Sequence, residues 1–121
     1  MANITLRCAD ERLNDVIYKN FPENVTLAEL GGIKWYLSRD TLEELFEQVE
    51  FALDHKDAKS LSLVSHSDCG LYKELGEDSD SQYEDDLREA IDLIQERFPA
   101  LKIQGSIYDV DTKQLRRLEN E

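Results

Sequence analysis

The chain has 121 residues, 40% of them hydrophobic and 8% aromatic, and carries 27 acidic against 14 basic side chains for a net charge of −13. This length predicts a single domain over residues 1–121, with enough apolar side chains for one core. The acidic balance argues against partners such as nucleic acid or an anionic membrane surface, because neutralising phosphate needs clustered lysine and arginine. No apolar run in the sequence approaches the ~20 residues of a membrane span.

The start of the sequence also bears on the cellular compartment. Met1–Ile4 lacks a basic region followed by an apolar one, so we expect no signal peptide. A cytoplasmic location follows as an expectation. In that compartment the two cysteines, Cys8 and Cys69, are better explained as thiolates than as a disulfide.

The first third of the chain alternates between strand and helix patterns. Asn3–Cys8 alternates apolar and polar residues, which predicts an inner strand. Helical spacing runs from Leu13 to Phe21 and stops at Pro22. A weaker strand over Val25–Leu30 ends in the glycine pair Gly31–Gly32, which indicates positive φ angles or a close approach to another group.

In the next segment the secondary structure is ambiguous over the first six residues, and a helix is predicted after them. Over Ile33–Ser38 the pattern fits no single element, and Trp35 and Tyr36 suit either the core or a partner subunit. Asp40 is predicted to cap a helix, with Glu43 returning the hydrogen bond three residues later. The apolar face of this helix continues to about His55–Lys56.

A third strand and a second long helix follow. Leu61–Ser65 is a short apolar run, which predicts a buried strand. Gly70–Asp80 is predicted to be a polar, acidic loop. Ser81 and Glu84 form a second predicted capping box, and the helix that they open ends at Pro99.

The C-terminal part completes the predicted sheet. Leu101–Val110 reads as a strand, Asp111–Lys113 as a turn, and Gln114–Leu118 as a short strand or a tail. Strands that alternate with amphipathic helices predict an α/β fold with a mainly parallel β-sheet flanked by helices.

The chemistry-bearing residues lie where predicted strands end. His66 and Cys69 follow the third strand, and Cys8 ends the first. Ligands of parallel sheets sit beyond the carboxyl ends of the strands, so these side chains converge if the two strands are neighbours. Zinc prefers this mixture of nitrogen and sulfur ligands, and three protein ligands leave one tetrahedral position open, as in catalytic sites.

Plainer interpretations stay open at this point. Cys8 could be a buried inert thiol or pair with Cys69 in a disulfide, and His66 taken alone would suit an ordinary buried histidine. Asp10 and Arg12 could be a helix cap and a surface cation. Asp68 reads as a turn residue rather than as a ligand.

Two motifs resemble those of the β-class carbonic anhydrases. Residues 8–12 read Cys-Ala-Asp-Glu-Arg, similar to the Cys-x-Asp-x-Arg motif of that family. Residues 66–70 read His-Ser-Asp-Cys-Gly, similar to its His-x-x-Cys-Gly motif. The order of the motifs matches, Gly31–Gly32 falls between them as in the family, and 105–110 resembles its late strand.

The resemblance implies a function and a set of site residues. It implies a Zn²⁺ cofactor held by Cys8, His66 and Cys69, which would lower the pKa of a bound water to about 7 for attack on CO2, giving bicarbonate. Asp10 and Arg12 are the implied catalytic pair, and Gly70 and Gly32 are assigned to substrate binding. A homodimer is also implied, with Trp35, Tyr36 and the apolar residues around the glycines as candidates for its seam.

Three departures from the family pattern put parts of this picture in question. The first strand begins near residue 3, Glu29–Leu30 precedes the glycine pair, and the segment after Gly70 is short and acidic. A CO2 site needs a dry, apolar mouth, so a trimmed segment could leave metal binding without turnover. The alternatives are therefore a hydrolase of carbonyl sulfide or carbon disulfide on this fold, or a non-catalytic zinc-stabilised module.

Overall fold

The computed structural model describes residues 3–22 and 24–119. The strands are β1 Asn3–Cys8, β2 Asn24–Glu29, β3 Ser60–His66, β4 Lys102–Asp109 and β5 Gln114–Arg117. The helices are α1 Asn14–Asn20, α2 Ile33–Arg39, α3 Leu42–His55, α4 Gly70–Glu74 and α5 Asp80–Arg97, and a 3₁₀ turn spans Glu11–Leu13. Within these residues no helix combines the length and the apolar character that crossing a membrane requires.

All five strands form one sheet in the order β2-β1-β3-β4-β5. The pairs among the first four strands are parallel, and only β5 runs antiparallel, beside β4. The predicted α/β fold with a mainly parallel sheet is thus confirmed, as is the inner position of β1. Because Arg7 pairs with Val64, the residues that follow β1 and β3 emerge side by side at the same edge of the sheet.

The core lies between the sheet and the helices packed on it. Ile4 and Leu6 of β1 pair with Leu61 and Leu63 of β3, and all four side chains are at most 1% exposed. Burial of such a side chain contributes about 1.5–3 kcal/mol, so this layer fixes the register of the two central strands. Helix α2 packs on β1 and β3, and α5 packs on β3 and β4.

The structure corrects both predicted capping boxes. Asp40 does not cap α3; it ends α2 in the left-handed conformation, with φ 54°, and the N-cap of α3 is Thr41. Helix α5 begins earlier than Ser81, because Ser79 is its N-cap and accepts a hydrogen bond from Gln82 N at 3.2 Å. At α3 Asp40 is used to end the preceding helix, and Thr41 takes the N-cap position without a capping hydrogen bond from its side chain. At α5 a serine two residues before the predicted one provides the cap.

Two further segments differ from the sequence prediction. The ambiguous stretch after the glycine pair is helix α2, in which Tyr36 is only 4% exposed and therefore unavailable as a partner seam. Trp35 is half-buried beneath the Arg39 guanidinium, 3.4 Å from the ring centre. The predicted polar loop contains helix α4, because Tyr72 buries its ring there against Tyr83.

Candidate metal centre

Three residues singled out in the sequence meet at the carboxyl ends of β1 and β3. Each of Cys8, His66 and Cys69 offers one ligand atom, and these atoms lie within 4.8 Å of one another. Their side chains are 6%, 1% and 2% exposed. They converge because β1 and β3 are neighbours: Cys8 is the last residue of β1, His66 is the last residue of β3, and Cys69 lies in the turn that follows β3.

The imidazole of His66 is oriented by its own loop. Nδ1 lies 2.7 Å from the carbonyl oxygen of Ser67, and because a carbonyl only accepts, Nδ1 carries the proton. Nε2 then holds the free lone pair, yet it is buried and finds no hydrogen-bond partner in the part of the chain that the structure describes. A buried acceptor without a partner is costly, and a cation bound at Nε2 would remove that cost.

The two cysteines are free thiols that interact with each other. A hydrogen bond from Cys69 lowers the pKa of Cys8, with a further contribution from His66, while the same contact and burial raise the pKa of Cys69. The amide of Gly31 also donates to Cys8 Sγ at 3.3 Å. The contact between the two cysteines therefore favours ionisation of Cys8 over Cys69, and binding a cation would release the protons that the two thiols carry.

This set of donors fits zinc. Two sulfur atoms and one imidazole nitrogen are borderline-soft ligands, the combination that Zn²⁺ accepts in tetrahedral sites. The buried Nε2, which has no hydrogen-bond partner among the described residues, and the two free thiols within 4.8 Å of it form a group that a cation would complete. Three protein ligands leave a fourth position for a small molecule.

Asp10 and Arg12 form a tight pair beside this cluster. Arg12 Nη2 lies 2.7 Å from Asp10 Oδ2, and Arg12 Nε lies 3.1 Å from Oδ1. Asp10 also caps the 3₁₀ turn by accepting from Arg12 N at 2.9 Å, so the capping interpretation and the pairing both hold. The hydrogen bonds from Arg12 lower the pKa of Asp10 to about 2, which keeps the carboxylate ionised.

Sequence reasoning missed Arg7. This guanidinium is buried, and it donates from Nε to Cys8 O and from Nη2 to Asp10 O, both at 2.8 Å. It therefore holds the turn that carries Cys8 and Asp10 in one conformation. The available signal was a charged side chain inside a predicted inner strand, where a cation needs specific partners.

The two glycines assigned to substrate binding have different surroundings. Gly70 follows Cys69 directly, is exposed, and has open space where a Cβ would stand. Gly32 is buried with φ 56°, and a Cβ there would lie 3.2 Å from Cys8 N. Gly32 thus permits close packing of α2 on the end of β1, whereas Gly70 lies at the protein surface directly after a proposed metal ligand.

The chain shares its fold with several proteins of known structure. A carbonic anhydrase from Streptococcus mutans superposes with a TM-score of 0.71 at 20% identity, over 96% of this chain and 80% of that one. A β-carbonic anhydrase from Trichomonas vaginalis gives 0.68 at 11% identity, over 97% and 81%. The apo form of a carbon disulfide hydrolase gives 0.62 at 16% identity, over 98% and 78%.

These likenesses show that the chain has the fold of the β-carbonic anhydrases. The resemblance seen in the two sequence motifs is confirmed at the level of the fold. No protein-family model matches the sequence, and no curated protein sequence matches it either.

Proposed function

We propose that this chain is a zinc-dependent carbonic anhydrase that interconverts CO2 and bicarbonate. One observation carries the proposal: on a β-carbonic anhydrase fold, two thiols and a partnerless imidazole nitrogen converge within 4.8 Å, beside an ionised Asp10. Cys8, His66 and Cys69 would hold the metal. Zinc would supply the Lewis acidity that makes water a nucleophile near neutral pH.

The protein's own groups would orient the reactants. Asp10 is ionised and bound on one side by Arg12, so its carboxylate can accept one further hydrogen bond and align the attacking water. Arg12 keeps that carboxylate in place through its planar fork of donors. Gly70 is exposed and directly follows Cys69, which supports it as the place where CO2 would meet the protein.

The test combines metal analysis with CO2 hydration on one sample. We expect one zinc per chain and a stopped-flow rate that rises with pH between about 6.5 and 9. Asp10→Ala should keep zinc and fold but lower kcat by about 100-fold. The matched control is Asp15→Ala, because Asp15 is an exposed carboxylate whose ion pair, with Lys19, lies outside the cluster. A chelator-free, reduced sample that binds no zinc would end the proposal.

Hydrolysis of carbon disulfide or carbonyl sulfide is the second candidate. It is supported by the structural likeness to a carbon disulfide hydrolase, whose TM-score of 0.62 is close to those of the carbonic anhydrases. Turnover of a sulfur substrate without CO2 hydration would favour it. Zinc binding without turnover of any of these substrates, in wild type and Asp10→Ala alike, would favour a non-catalytic module.

We also propose that the chain forms a homodimer in the cytoplasm. Two β-carbonic anhydrases from Sordaria macrospora that share the fold are tetrameric, which supports self-association. Leu30, next to the glycine pair, is 68% exposed and is a seam candidate beside the half-buried Trp35. Sedimentation of wild type and Leu30→Ser would test it, since a dimer through Leu30 should weaken in the variant.

A further inference from the structure

Asp68 stands between two of the proposed metal ligands, His66 and Cys69. Its backbone has φ 58°, in the left-handed region that asparagine and aspartate tolerate better than most residues. The sequence alone suggested a turn residue. The structure shows that the side chain and the carbonyl of Asp68 both bind a residue from the other loop of the site.

That residue is Arg12, and its guanidinium spans the two loops. One edge faces Asp10, through Nε and Nη2. The other nitrogen, Nη1, donates to Asp68 Oδ2 at 2.9 Å, and Nη2 also donates to Asp68 O at 3.1 Å. The planar Arg12 guanidinium thus binds Asp10 and Asp68, which are 58 residues apart in sequence, and uses four of its five N–H donors to do so.

Lys73 of helix α4 completes the arrangement. Its ammonium binds Asp68 Oδ1, the oxygen that Arg12 leaves free, so the two cations do not compete for one acceptor. The Asp68 carboxylate is therefore held from two directions. This matters because the Arg12 and Asp68 side chains are 42% and 43% exposed, and an isolated ion pair with such exposure is weakly ordered.

We propose that Asp68 is a positioning residue for the proposed reaction, acting through Arg12 to fix the Asp10 carboxylate beside the metal ligands. The inference rests on the proposed function. If Asp10 were the sole partner of Arg12, the exposed guanidinium and the Asp10 carboxylate could rotate together away from the metal ligands. Because Arg12 is also bound to Asp68, its guanidinium has one orientation, and this fixes the orientation of the Asp10 carboxylate.

The test uses two substitutions at Asp68 and a matched control. Asp68→Gly keeps the left-handed backbone and deletes the carboxylate, whereas Asp68→Asn keeps one acceptor oxygen without the charge. Asp57→Gly is the control, since Asp57 also has a left-handed φ, 52°, and its ion pair among the described residues is with the exposed Lys59. The measurements are the Arg12 Nε–H resonance in ¹H–¹⁵N spectra, zinc content, kcat and KM.

In wild type we expect Arg12 Nε–H, which is bonded to Asp10, to give a slowly exchanging resonance. Asp68→Gly should remove it, because Nη1 loses its partner and the guanidinium becomes mobile, and should lower kcat by about 10-fold. KM for CO2 and zinc content should stay at the wild-type level, because the contact orients a group rather than binding substrate or metal. Asp68→Asn should recover part of both losses, and Asp57→Gly should match wild type.

Three results would overturn the inference. They are an Arg12 resonance that persists in Asp68→Gly, a lost resonance with unchanged kcat, and a loss of zinc as the main effect, which would make Asp68 a structural part of the metal loop. A wild-type protein that binds zinc without hydrating CO2 would end the proposed function instead. In that event the resonance of Asp68→Gly still decides whether Asp68 holds Arg12.

Discussion

The ammonium of Lys34 lies 2.7 Å from Asp86 Oδ2, and both side chains are 8% exposed. Tyr72 OH donates to the same oxygen at 2.9 Å, and Gln82 donates to the other oxygen at 3.0 Å. Lys34 also pairs with Glu77 at 2.8 Å. This buried network joins α2, α4 and α5, and because Tyr72 stands three residues after Cys69, it fixes where the loop of the metal centre continues into α4.

Breaking this pair should destabilise the fold strongly. Lys34→Met leaves the Asp86 carboxylate buried without its cation, which we expect to lower the free energy of unfolding by about 3–5 kcal/mol. The double variant Lys34→Met/Asp86→Leu should recover most of that loss, because no buried charge remains. Urea unfolding followed by circular dichroism measures both.

The control for this cycle is the exposed pair of Lys19 and Asp15, whose nitrogen and oxygen are 3.0 Å apart. Lys19→Met should change the free energy of unfolding by no more than ~0.5 kcal/mol, because water replaces the lost partner. A double variant at Lys34 and Asp86 that is as unstable as Lys34→Met would contradict the electrostatic explanation and point to lost packing.

The ligand assignment predicts a selective loss of metal. His66→Ala removes the one nitrogen donor of the cluster and should weaken zinc binding by more than ~100-fold, beyond what outer partners contribute. His55→Ala is the matched control, because this second histidine lies exposed at the end of α3, stacked on Phe51. Competition with a chromogenic chelator measures both affinities. Equal zinc affinity in the two variants would rule out His66 as a ligand.

The backbone of Gly32 lies close to that of Cys8, so we expect a substitution at Gly32 to destabilise the fold more than one at another glycine with positive φ. Gly32→Ala strains a backbone at φ 56° and places a Cβ 3.2 Å from Cys8 N, which belongs to the sheet and cannot move aside. Gly76→Ala, at φ 72° with open space around it, should cost only the backbone strain of about 1–2 kcal/mol.

Thermal unfolding and zinc titration of the two glycine variants test this. We expect Gly32→Ala to melt lower than Gly76→Ala and to bind zinc more weakly, since the displaced backbone carries a ligand. Variants of equal stability and equal zinc affinity would show that α2 can shift away from Cys8 without cost.

The buried hydroxyl of Tyr36 leads us to expect that the folded protein loses stability at alkaline pH. Burial raises the pKa of Tyr36 to about 12, and the nearby Glu29 carboxylate, which accepts the hydroxyl hydrogen bond at 3.2 Å, adds to the shift. Between about pH 10 and 12 the unfolded chain releases this proton and the folded chain keeps it, so stability falls as pH rises. Urea unfolding of wild type and Tyr36→Phe across this range should show a shallower decline in the variant. Parallel declines would contradict the assignment.

Much of the fold and site followed from local patterns in the sequence. Alternating and continuous apolar runs indicated the strands, and each predicted ligand stood where such a run ended. A parallel strand must deliver its next residues to the carboxyl edge of the sheet, so the position of Cys8, His66 and Cys69 there needed no knowledge of distant contacts. Helix starts were less well predicted, because several residues near Asp40 and Ser79 carry equivalent capping chemistry.

The sequence by itself therefore determined the α/β class and the sulfur and nitrogen donors at the strand ends, since these depend on residue type and short spacing, and the motif resemblance implied the pairing of Asp10 with Arg12. Only the tertiary structure decided that β1 and β3 are neighbours, that Asp68 binds Arg12, and that Lys34 is buried against Asp86. These relationships join residues 52 or more positions apart. They arise from the order of strands in the sheet, which a local pattern does not encode.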